Sequence, residues 1–122
     1  MDKFGFLLYG FLEKDAEILK KHFIGILRNN VMIISASACE DYTVKKILES
    51  GGINKFESSD TKILLFLGFD DNSIQTILQH YPKELSRPIF CCLTDQNINW
   101  KFSHLIEHLE EEKKYWENKS KS

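Results

Sequence analysis

Proline is scarce, two in 122 residues, and the three cysteines, Cys39, Cys91 and Cys92, show no two-residue spacing. Neither a disulfide framework nor a zinc knuckle is expected from them, and the chain is expected in a reducing compartment, the cytoplasm. An excess of charge of one sign is missing too, since sixteen Lys and Arg stand against eighteen Asp and Glu. Without the basic footprint of a nucleic-acid binder, no nucleic-acid partner is expected. The apolar stretch from Phe4 to Leu12 is too short to span a bilayer and runs into Glu13 to Asp15 without a small-residue cleavage pattern, so no membrane segment is expected either. What remains is 43% hydrophobic and 28% charged, the composition of one ordinary globular domain covering residues 1–122.

The chain repeats itself at an offset of 58, the distance from Phe11 to Phe69. Phe6-Leu7-Leu8-Tyr9-Gly10-Phe11 resembles Leu64-Leu65-Phe66-Leu67-Gly68-Phe69, His22 falls on His80, Tyr42 on Trp100, and Ile47-Leu48 on Leu105-Ile106. Two pseudo-repeats, 1–50 and 62–118, are expected around a polar, Gly- and Ser-containing connector, 51–61. Each reads strand, helix, strand, helix. The first strands, Phe4 to Gly10 and Lys62 to Gly68, are nearly continuous apolar runs, the mark of strands buried on both faces. Ala16, Leu19 and Phe23, and likewise Ile74, Ile77, Leu78 and Tyr81, recur at helical spacing. Asp41 and Asn99 are expected to cap the second helix of each half.

This alternation predicts an α/β fold: a four-stranded, mainly parallel sheet in the order 2-1-3-4 with helices on both faces. With the two halves related by an axis along the strands, the first and third strands run parallel at the centre. Their carboxyl ends then form a switch-point crevice, the usual ligand site of such sheets. Gly10, Phe11, Gly68, Phe69, Asp70, Asp71, Thr94, Asp95 and Asn97 would gather there, suited to a small polar ligand or a divalent cation. The same arrangement collects Glu13, Asp15, Glu40, Asp41, Asp70, Asp71 and Asp95 at one edge and Lys3, Arg28, Lys62, Lys83 and Arg87 at the other, as helix dipoles favour. These acids argue against a nucleotide phosphate, and neither turn carries a phosphate-loop pattern.

His104-Leu105-Ile106-Glu107-His108 matches the H-x-x-E-H zinc pattern, yet no downstream helix offers a third ligand. The plainer reading is a helix with Phe102, Leu105, Ile106 and Leu109 inward and both histidines on its flank. No catalytic residue, metal ligand or cofactor is expected. Gly68-Phe69 after an apolar strand, Pro88 leading the next, and Thr94, Asn97 and Trp100 in a T-x-x-N-x-x-W pattern before a Leu/Ile-rich helix ending in Glu110 to Glu112 complete the second half. From about Lys62 to Glu112 it resembles the bacterial and archaeal domain-of-unknown-function family 3783. That resemblance implies a small soluble domain and no known activity. From the residues themselves, Asn97 is expected to close an Asx turn at a strand-to-helix joint. The last helix, ~27 Å from Trp100 to about Glu117, should overhang its sheet and carry Leu109, Tyr115 and Trp116 into a contact with a second copy or a protein partner.

Overall fold

A computed structural model describes residues 4–120 of the chain. In order they form β1 (Gly5–Tyr9), α1 (Glu13–Leu27), β2 (Met32–Ser35), α2 (Val44–Ser50), β3 (Ile63–Leu67), α3 (Asp71–Gln79), β4 (Ile89–Cys92), a single 3₁₀ turn (Asn97–Asn99) and α4 (Phe102–Ser120). The four strands make one open mixed sheet in the order β2-β1-β3-β4. Both outer pairings are parallel, and the fold is the expected α/β arrangement.

The central pair differs from expectation: β1 and β3 run antiparallel. The chain between them explains why. Ser35 Oγ donates to the Lys55 carbonyl, the Glu57 amide donates to Ser37 Oγ at 3.3 Å, and the Ser59 amide donates to the Gly10 carbonyl at 3.1 Å. Residues 51–61 therefore travel along the edge where β2 and β1 end, and the chain enters β3 from that edge. A parallel β3 would need this connector to cross back to the far edge of the sheet, and its bonds to Ser35, Ser37 and Gly10 hold it at the near one. Gly10 permits the close passage: its φ is +85°, and a Cβ there would run into the Thr61 carbonyl.

Antiparallel pairing is centred on Leu7 opposite Leu65, two residues 58 apart. Any two-fold relation between the halves therefore runs perpendicular to the sheet, through that pair, and not along the strands. Such an axis keeps α1 and α3 on one face and α2 and α4 on the other, and the core divides that way. Phe6, Leu8, Leu64 and Phe66 pack with Ala16, Leu19, Phe23 and Ile77, while Leu7, Ile63, Leu65 and Leu67 pack with Val44, Ile47, Phe102 and Leu105. Period-two alternation along β1 and β3 sends successive side chains to these opposite layers.

The expected caps also move. Thr43, not Asp41, caps α2, its hydroxyl accepting from the Lys46 amide at 3.1 Å. Asn99 ends the 3₁₀ turn, and α4 starts only at Phe102. Both helices begin late because the residues before them bind each other: the Val44 amide donates to the Trp100 carbonyl at 2.9 Å and the Phe102 amide to the Tyr42 carbonyl at 2.8 Å. The bridge occupies the Tyr42 and Trp100 carbonyls, and each helix opens just past them, its first amide donating across the bridge in place of an intrahelical partner. The charge segregation changes for the same topological reason. Lys62 and Arg87 now precede strands that start where β1 and β2 end, beside Glu13 and Glu40, whereas Asp70, Asp71 and Asp95 share the far edge with Arg28. Lys3 lies outside the described residues.

Candidate functional site

With β1 and β3 antiparallel, the expected crevice is divided between two ends of the sheet. Gly10 and Phe11 sit at one edge, where Phe11 is 2% exposed and part of the core. Gly68, Phe69, Asp70 and Asp71 sit at the other. There Phe69 packs on the Phe6 ring at 5.5 Å and stacks on Phe4 at 5.6 Å. Asp70 caps α3, accepting from the Ser73 amide at 2.8 Å, a bond that holds its carboxyl below the ordinary range. Asp71 occupies the first turn of that helix. These residues are engaged in ending a strand and starting a helix.

Thr94 and Asn97 do come together, in the joint after β4. Asn97 Oδ1 accepts from the Thr94 amide at 2.8 Å, and Thr94 Oγ1 accepts from the Asn97 amide at 3.0 Å. Asn97 Nδ2 then donates to the Cys92 carbonyl at 3.0 Å. At 6% exposure, Asn97 is buried with both ends of its amide engaged. It closes the end of the sheet's outer strand, using a carbonyl that another strand could otherwise have paired with. Asp95, next to this joint, is exposed and its carbonyl accepts from Asn99 Nδ2 at 3.3 Å.

Sequence patterning gives no direct sign of the groove that this joint helps to form. Between β4 and α4 lies an opening of about 360 Å³, lined by Phe90, Cys91, Trp100, Leu105, His108 and Glu112. The two histidines of the H-x-x-E-H pattern meet the Trp100 ring edge to face, His104 at 4.7 Å and His108 at 5.1 Å. His108 also lies 3.6 Å from Glu112, one turn further along. Among the described residues no group of three or more His, Cys, Asp or Glu is placed to hold a metal ion.

Burial pushes the Cys91 thiol up to about 11, with Cys92 and Glu112 adding to the shift. It is a thiol, not a thiolate, at neutral pH, and therefore a poor nucleophile. All three cysteines are free. Ellman titration at neutral pH is expected to label exposed Cys92 first, Cys91 slowly and buried Cys39 only after denaturation. Equal rates for all three in native protein would contradict this packing. At the opposite edge, burial first and then the adjacent Glu40 carboxylate push the Tyr9 phenol up to about 12. It stays protonated and donates to Glu40 Oε2 at 3.0 Å, tying β1 to the loop before α2.

The candidate contact residues separate along α4. Leu109 is 6% exposed and belongs to the core, so it is not available to a partner. Residues 111–119 are all exposed, with Tyr115 at 57% and Trp116 at 56%. At 19 residues, α4 is ~28 Å long, about twice the reach of the four-residue β4 beside it. Its first half closes one layer of the core, and past Glu110 its residues through Lys119 are exposed, with Lys113, Lys114 and Glu117 lining an opening shared with Thr61, Lys62 and Arg87. No helix among the described residues is long and apolar enough to cross a membrane.

Residues 62–116, from the approach to β3 into the second half of α4, match the model of the family described as Domain of unknown function (DUF3783). No curated protein and no solved structure gives a match.

Proposed function

We propose that this protein is a small, non-catalytic interaction module whose contact surface is the exposed aromatic face of the second half of α4. The observation that carries the reading is the pair of adjacent aromatic side chains, Tyr115 and Trp116, more than half exposed on a helix that has already left its own core. Aromatic residues are enriched at the centres of protein interfaces, and exposed neighbouring ones mark such surfaces. The three free thiols fit a reducing compartment, and cytoplasmic placement is part of this reading. So is an internal duplication of the β-α-β-α unit. It is supported by the pairing of Leu7 with Leu65 and by the reciprocal bonds joining Tyr42 and Val44 to Phe102 and Trp100. The register slips by one residue between halves, Gly5 lying opposite Met32 and Ile63 opposite Ile89.

Truncation after Glu112 separates a contact surface from a structural brace. Every residue removed through Lys119 is exposed, so far-ultraviolet dichroism per residue and the melting temperature should change little. In dilute full-length protein, Trp116→Ala should remove the red-shifted part of the tryptophan emission. If truncation unfolds the domain, the second half of α4 serves the fold and the reading is wrong.

A further inference from the structure

The second half of α4 is complementary to itself when reversed. Glu112, Tyr115, Trp116 and Lys119 stand at i, i+3, i+4 and i+7, which at 3.6 residues per turn places them on one face about 100° wide. Contacts along the helix agree with that placement. The Tyr115 and Trp116 rings meet edge to face at 5.4 Å, and Lys119 Nζ lies over both, at 5.8 and 5.5 Å from their centres. Glu112, at the other end of the face, reaches back to His108.

A second copy of this helix laid antiparallel, with the symmetry axis between positions 115 and 116, sets Tyr115 against Trp116 of the second copy and Glu112 against Lys119 of the second copy. Each contact occurs twice, as a two-fold interface requires. The centre is aromatic and the two ends carry opposite charges. A parallel pair would instead set Glu112 against Glu112 and Lys119 against Lys119, so the order of charges selects the antiparallel arrangement.

Resting on the reading of α4 as the contact surface, we infer that the partner is a second copy of this chain, bound through antiparallel pairing of the second halves of α4. Two half-helices bury less than a standard interface, which places the complex in the weak, concentration-dependent class. Sedimentation equilibrium of the full chain up to high micromolar concentration should show a reversible monomer–dimer equilibrium, weaker at high salt.

Glu112→Lys and Lys119→Glu should each weaken the dimer by about tenfold or more, because each change sets two like-charged pairs in the interface. An equimolar mixture of the two variants should recover dimer as a heterodimer, in which both end pairs are again attractive. Melting temperatures within a few degrees of the parent would show that the variants remain folded. Dimerisation unchanged in both single variants would overturn the pairing. In that case, loss of the dimer in Trp116→Ala would leave α4 as the contact surface with a different geometry. A full chain that stays monomeric throughout the range overturns self-pairing, and the truncation experiment alone then decides the broader reading.

Discussion

Replacing Asn97 with Ala is expected to destabilise the protein by about 2–3 kcal/mol, far more than a polar residue outside the strands and α-helices usually contributes. The side chain accepts from the Thr94 amide and donates to the Cys92 carbonyl. Truncation leaves both groups without these partners, in a joint where water only partly reaches them, and opens a void at a buried position. For a domain of this size the melting temperature should fall by about 8–12 °C. Thr94→Val is the comparison, since it keeps the shape and removes only the hydroxyl that accepts from the Asn97 amide. It should cost about 1 kcal/mol. Thermal denaturation followed by circular dichroism measures both. If Asn97→Ala melts with the parent, its hydrogen bonds do not hold the joint, and its side chain is free for another role.

Strand order is legible because it follows from local pattern: two strand-helix-strand units, each with a doubly apolar first strand, put those strands at the centre. The direction of β3 is not legible from the same pattern. Ile63-Leu64-Leu65-Phe66-Leu67 is as apolar read backward as forward, and all five residues are buried, so nothing in the strand marks its amino end. Direction is decided by the connector, through bonds from Ser35, Ser37 and Gly10 to residues 55–59. A Gly- and Ser-containing segment looks like a linker in sequence, although it is bonded along the sheet edge in the fold. The candidate crevice depended on strand direction and is divided with it. Asn97 did not depend on it, because an Asx turn is local: its partners are three and five residues away.

The β4–α4 groove has the opposite character. Its walls come from residues up to about twenty positions apart, and its shape depends on β4 standing at the edge of the sheet. No periodicity within either element reports that. Trp100 was the available signal, an aromatic residue at a strand-to-helix joint. Its half-buried ring forms one wall of the groove.

Phe102→Ala is expected to have the largest effect of any single truncation considered, about 3–5 kcal/mol. Phe102 is fully buried at the first turn of α4, 5.3 Å from the Tyr9 ring, and its amide is one of the two that bridge the helix starts. The bridge uses backbone and survives the substitution, so the loss comes from transfer and cavity terms. Since a domain of this length has only about 6–18 kcal/mol to lose, the variant should unfold at markedly lower urea. The divided core adds a sharper test. Ile47 lies in the layer with Phe102, and Ile77 lies in the layer across the sheet. Ile47→Val and Ile77→Val should each cost about 0.5–1.5 kcal/mol and add within about 0.5 kcal/mol in the double variant, because the sheet separates them. By contrast, Ile47→Val combined with a truncation at Phe102, within one packed layer, should depart from additivity. Urea denaturation of the single and double variants gives these terms directly. A coupling above about 1 kcal/mol between Ile47 and Ile77 would mean that the layers relax together through β1 and β3, and that the sheet does not divide the core into independent halves.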